Sequence, residues 1–114
     1  MKPIHLTNQD LFSAAWEQAK LKTKSTDGGG FCVYRGQNGA KCFIGAAIPD
    51  ERYDPSMENR AAFSALKEAS MTVDDGGLTG ELQDIHDCHG VDNWDKLLRY
   101  LAQIYSLTIP GETK

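Results

Sequence analysis

The clearest pattern in the chain is helical and lies at its two ends. After a short lead, MKPIHL (residues 1–6), which can be extended, Thr7 is placed as a helix N-cap, with Asp10 three residues on to complete a capping box. Leu11, Phe12, Ala15, Trp16 and Ala19 then recur at helical spacing, opposite Glu17, Gln18 and Lys20. This predicts a first helix that fades before Asp27-Gly28-Gly29-Gly30. The strongest stripe is Trp94, Leu97, Leu98, Leu101, Ala102 and Tyr105, a last helix capped by Asp92 and stopped by Pro110.

Between these helices the period changes. Phe31 to Arg35 is aromatic and β-branched, and Ala40 to Ile44 reads as a second strand. Gly36-Gln37-Asn38-Gly39 between them can turn, because Asn-Gly supplies the two positive φ angles of a type I′ hairpin. Asp54 before Pro55 suits an N-cap followed by proline at the first helical position. A helix starting there or at Asn59 runs to Ser70 and buries Phe63, Leu66, Ala62 and Ala69; residues 73–77 form a loop. A further short helix opens at Leu78 and runs through Ile85 to about Cys88, with Gly90 ending it in a left-handed conformation.

The expected fold is therefore α+β. It is a single small domain over 1–114 with a tail at 110–114: a β-hairpin packed against about four helices, in the order α-β-β-α-α-α. Two strands alone are marginal, so they must lie on helices or find a third strand in the molecule or in a second copy.

Charge and composition narrow the function. Twelve Lys+Arg against sixteen Asp+Glu give a net charge of -4, which argues against a generic phosphate-tracking nucleic-acid binder. No apolar run reaches the length of a membrane span, and the first residues lack a signal-peptide core. Three cysteines, an odd number, fit reduced thiols in a cytoplasm better than a disulfide framework.

The candidate chemistry is sparse. The triple glycine follows a helix and precedes a strand, the reverse of a phosphate-binding P-loop, and is expected to be a connection. In His86-Asp87-Cys88-His89 the two histidines share a helix face and could hold zinc with Cys88, Cys32 or Cys42, although no C-x-x-C pair is present. The simpler expectation is a helix histidine bonded to Asp84 or Asp87. A hairpin with a two- or four-residue loop would point Cys32 and Cys42 to opposite faces, and only an odd loop would bring them together. Covalent catalysis by Cys88 is disfavoured at a helix C-terminus, where the thiolate is not stabilised. The densest polar stretch is Pro49-Asp50-Glu51-Arg52-Tyr53-Asp54, between an apolar run and a helix, where loop side chains can converge on a partner.

The run from Lys41 to Glu58 resembles a motif of small, uncharacterised phage and prophage proteins, K-C-x-x-G-x-x-I-P-D-E-x-Y-x-P-x-M-E. Cys32-x-Tyr34-Arg35-Gly36 and Leu82-Gln83-Asp84-Ile85-His86-Asp87 are similar as well, so the likeness spans about residues 8–109. It implies a mobile-element origin, a place in the host cytoplasm and no defined reaction. In that context a small acidic protein is expected to act by binding, for instance by blocking or sequestering a component of host defence.

Three readings follow. A binding protein would sequester a small anionic ligand through Arg35, Lys41, Arg52 and Tyr53, or block a basic host protein through Asp50, Glu51, Asp54, Asp74 and Asp75. A small metal-dependent hydrolase or nuclease would use His86, Asp87 and His89, with Asp50 and Glu51 as general acid or base. A structural phage protein would bury a homodimer interface on Trp94–Tyr105 and Phe31–Ile44. Binding leads, with no cofactor expected.

Overall fold

The computed structural model describes residues 2–29 and 31–112. Its regular elements run in chain order: β1 (Ile4–Leu6), α1 (Asn8–Ala19), α2 (Phe43–Ala47), α3 (Ala62–Glu68), β2 (Met71–Val73), α4 (Gly76–Cys88) and α5 (Val91–Tyr105). The α+β class holds. The hairpin does not, and five α-helices are present among the described residues instead of four.

The only sheet among the described residues is a parallel pair, β1 beside β2, with Ile4 opposite Met71, His5 opposite Thr72 and Leu6 opposite Val73. The lead is thus extended as expected, but its partner lies in a stretch expected to continue a helix into a loop. Ser70, at φ 61°, breaks that helix and turns the chain back along β1. Parallel strands need a long crossover, and here α1, α2 and α3 supply it. His5 fastens the sheet from outside: Nδ1 lies 2.7 Å from the Thr72 hydroxyl and Nε2 lies 2.5 Å from the Asp74 carboxylate. Asp74 also accepts the Asn8 backbone N–H, joining the sheet to the start of α1.

The turn expected at Asn38-Gly39 does form, with φ 58° and 77°. Arg35 and Lys41 make one isolated antiparallel bridge around it, and the Gly36 N–H donates to Ala40 at 2.8 Å. No ladder follows, because Cys42 becomes the N-cap of α2, its Sγ accepting the Gly45 N–H. Phe43 and Ile44 then enter the core on a helix, and five residues separate Arg35 from Lys41. With Cys42 at a helix cap and no ladder between residues 32 and 42, the strand-parity argument for the two cysteines does not apply. Gly45 is required at this corner: a Cβ there would lie 2.3 Å from the Tyr34 carbonyl oxygen.

The helices obey their end signals with exceptions. Thr7 and Asp10 form the capping box, the Asp10 N–H donating to the Thr7 hydroxyl at 3.1 Å and the Thr7 N–H to the Asp10 carboxylate at 3.0 Å. Asp54 caps only a 3-10 turn, Pro55–Met57, and α3 starts later, at Ala62. Phe63, expected in the core, is exposed on that helix. Gly90 is extended, with φ −71°, and serves as N-cap of α5 in place of Asp92. Ser106, left-handed at φ 57°, ends α5 before Pro110 is reached; the Leu107 N–H returns to the Ala102 carbonyl at 2.8 Å.

One continuous core joins these elements. Phe12, Phe43, Ile44, Ile48, Met57, Leu66, Leu78, Leu82, Trp94 and Leu98 are all essentially inaccessible to solvent. α1 packs on α2, α4 and α5, while α4 packs on α2, α3 and α5. α4 is therefore the central helix, packed against four of the other helices.

Candidate functional site

The polar segment before α3 becomes a ring of internal contacts. Arg35, on the strand-like residue before the Asn-Gly turn, is only 16% exposed. Its guanidinium donates to the Ile48 carbonyl at 2.7 Å, pairs with Asp50 at 3.2 Å and lies 5.1 Å from the centre of the Tyr53 ring. Lys41 reaches the same Asp50 carboxylate at 3.5 Å. Arg52 turns away from this group. It donates to the carbonyls of Ala69 and Ser70 at the end of α3, and to that of Lys2 before β1. It satisfies carbonyls that have no partner within the helix. Glu51 is exposed and makes no ion pair among the described residues.

The residue that organises this ring is one that the sequence reading passed over. Glu58 accepts the backbone N–H groups of Tyr34 at 2.9 Å and Arg35 at 3.1 Å, and the Tyr53 hydroxyl at 2.6 Å. Burial, then this carboxylate, pushes the Tyr53 phenol up to about 12. Glu58 ends the Lys41–Glu58 run, but its two backbone donors come from a segment more than twenty residues earlier, so local sequence does not mark its role. Lys41, Cys42, Gly45, Ile48, Asp50, Tyr53, Met57 and Glu58 of that motif all serve packing, capping or internal pairing.

A second constellation lies on α4. His86 is fully buried, stacked on Trp94 with 5.3 Å between ring centres and meeting the edge of Phe43 at the same separation. Its Nδ1 lies 2.8 Å from the neighbouring Asp87 carboxylate, as the simpler sequence expectation had it. Gln83, one turn earlier, donates to both Asp87 oxygens. Cys32 completes the group: its sulfur, an Asp87 oxygen and a His86 nitrogen all lie within 4.8 Å of one another. Cys88 and His89 are exposed at the end of α4 and do not join it. The set that the fold assembles is thus Cys32, His86 and Asp87.

The second ring nitrogen decides what this set can do. Nε2 of His86 accepts the backbone N–H of Ser25 at 3.1 Å. A nitrogen that accepts an N–H is unprotonated, so the proton sits on Nδ1 and is donated to Asp87. A metal bound through Nδ1 would move that proton to Nε2, where it would face the Ser25 N–H, donor against donor. A metal at Nε2 would have to displace Ser25. Neither nitrogen fits a metal ligand, and neither is free to deprotonate Cys32. Burial and the adjacent Asp87 also push the Cys32 thiol up, and burial pushes Cys42 up to about 12, so both sulfurs are poor nucleophiles.

The triple-glycine turn is occupied too. The Asp27 carboxylate accepts the N–H groups of Gly29 at 2.7 Å and Phe31 at 3.3 Å, which leaves those amides closed to a phosphate; Gly30 lies outside the described residues.

Among the described residues, two grooves stay open on the α5 side: one between α1 and α5, lined by Trp16, Lys20, Lys22, Val91 and Trp94, and one between α4 and α5. Ile85, Leu97 and Leu101 line the apolar floor of the latter, exposed Tyr100 and Ile104 rise beside it, and Glu81 and Asp84 stand on its α4 rim. No described helix is long and apolar enough to cross a membrane. Comparison of the chain with protein-family models, with curated proteins and with solved structures yields no match.

Proposed function

We propose that the chain is a small binding protein of the host cytoplasm whose partner is a protein with a basic surface, and that it does not sequester a nucleotide or another small anion. The observation that carries this reading is the occupation of the three cations of the polar segment, Arg35, Lys41 and Arg52. Arg35 and Lys41 face Asp50, and Arg52 caps α3. An anionic ligand at this group would compete with the Asp50 carboxylate and the Ile48 carbonyl for Arg35, and with the α3 carbonyls for Arg52. Glu51, Asp84 and other exposed carboxylates point outward instead, in a chain of net charge -4. The likeness of residues 41–58 to phage and prophage proteins supports a host component, such as a part of a defence system, as that partner.

Native mass spectrometry of protein purified gently from host cells, without chelator, tests this. The expected result is a complex with a second protein, released as ionic strength rises. A mass increment of nucleotide size that disappears in Arg35→Ala overturns the reading in favour of sequestration. A metal increment lost in His86→Ala overturns it in favour of hydrolysis.

A further inference from the structure

The groove between α4 and α5 is an apolar surface that the described residues leave uncovered. Leu97, Tyr100, Leu101 and Ile104 follow the i, i+3, i+4, i+7 spacing of one helix face. Leu101 belongs to the core, whereas Tyr100 is 62% exposed and Ile104 is 55% exposed. Isolated surface hydrophobics need no explanation, but these two are one turn apart and continuous with Ile85 across the groove. Tyrosine suits such a place, with a ring to bury and a hydroxyl to leave in water. The groove has a volume of about 200 Å³, room for apolar side chains of a docked segment and not for a whole ligand.

The charge along the rim selects the occupant. Glu81 and Asp84 lie three residues apart on α4, hence on one face, and both are exposed; one Glu81 oxygen accepts the Tyr105 hydroxyl at 3.1 Å, and its other oxygen and Asp84 face outward. A second copy docked here would bring the carboxylates of both rims to one seam, and the chain is acidic overall. A segment bearing lysine or arginine beside its apolar anchors meets the opposite situation. We infer that the α4–α5 groove is the docking site for a basic amphipathic helix of the partner protein, its leucine-like side chains seated against Ile85, Leu97 and Ile104 and its cations against Glu81 and Asp84. A two-helix groove receiving a third helix is a recurrent mode of peptide recognition. This inference rests on the reading of the chain as a binding protein and adds where, and what kind of segment, it binds.

The probe is a synthetic amphipathic helical peptide of leucine and lysine, with a leucine–glutamate peptide of the same pattern as control, titrated into the isotopically labelled protein. Amide shifts are expected over residues 81–85 and 97–104. Ile104→Glu, Asp84→Lys and Tyr100→Ala should each weaken the leucine–lysine peptide about tenfold, the cost of losing one anchor or rim charge. All three positions are exposed, and an unchanged amide spectrum elsewhere verifies each variant's fold. Equal binding of the leucine–glutamate peptide, or shifts centred outside α4 and α5, overturns the inference. So does concentration-dependent shifting of the same amides without peptide, which would assign the groove to a second copy. A host protein that binds Ile104→Glu as tightly as the parent removes the groove and leaves the binding reading intact. A nucleotide increment with no protein partner removes the reading itself.

Discussion

His86 and Ser25 stand 61 residues apart in the chain, and the Ser25 N–H donates to the His86 ring at 3.1 Å in a fully buried setting. The bond ties α4 to the segment after α1 and sets the tautomer of the ring. It converts the one group that reads as chemistry into a joint of the core.

His86→Ala removes that acceptor and leaves a space between Phe43 and Trp94. The variant should lose about 3 kcal/mol, from a buried N–H without a partner and a cavity among aromatic rings. Thermal denaturation measures the loss. Added zinc should leave the wild-type midpoint unchanged; a zinc-dependent rise absent from the variant would contradict the assigned tautomer.

Glu58 carries a larger structural role than its exposure suggests, because three donors meet on its carboxylate. Glu58→Ala strands two backbone N–H groups and a phenol, and should cost about 2–4 kcal/mol. Glu58→Gln keeps one acceptor oxygen and should cost roughly half as much. Urea denaturation of the pair gives the comparison, and equal losses would mean that the charge adds nothing.

Gly45→Ala tests the corner where the expected hairpin gives way to α2. The added methyl would lie 2.3 Å from the Tyr34 carbonyl oxygen, and that oxygen belongs to backbone, which cannot rotate aside. A loss of about 1–3 kcal/mol is expected. Gly80→Ala is the control, since a Cβ there meets nothing within 4 Å and alanine favours the helix.

Acid should destabilise the protein through Asp87. Burial alone would raise its carboxyl, but the hydrogen bonds from His86 and Gln83 outweigh burial and hold it below the ordinary aspartate range. Asp74 and Asp54 are lowered too, Asp74 mainly by His5 and Asp54 mainly by the Ser56 N–H. A carboxyl depressed in the folded state contributes stability above its unfolded value, about pH 4, and that contribution is lost as the pH falls through the lower folded value. Unfolding midpoints measured from pH 6 to pH 2 should drop below about pH 4. Asp87→Asn should start lower and fall less steeply. Parallel curves would mean that the His86–Asp87 bond is not maintained in solution.

Particular elements show how far local pattern reaches. The capping box at Thr7, the apolar faces of α1 and α5, and the positive φ angles at Asn38-Gly39 follow from interactions within a few residues, and each forms as read. The strand assigned to residues 40–44 fails for a different reason. Phe43 and Ile44 are equally suited to a strand or to a buried helix, and the Cys42 cap and the close approach of Gly45 to Tyr34 select the helix. Neither contact is visible until the chain has folded back. The site followed the same division. His86 and Asp87 stand out as neighbours, but Cys32 joins them and Ser25 disables the ring only through contacts across more than fifty residues.

The sequence by itself determined the long helices and their inward faces, because 3.6-residue periodicity and end caps are local properties of the chain. Tertiary structure alone decided the pairing of β1 with β2, the joining of Glu58 to Tyr34 and Arg35, the tautomer of His86, and which apolar face of α5 stays uncovered. Three-residue strands carry too little pattern to name a partner. A buried polar group takes its role from whichever donor or acceptor the packed core places beside it.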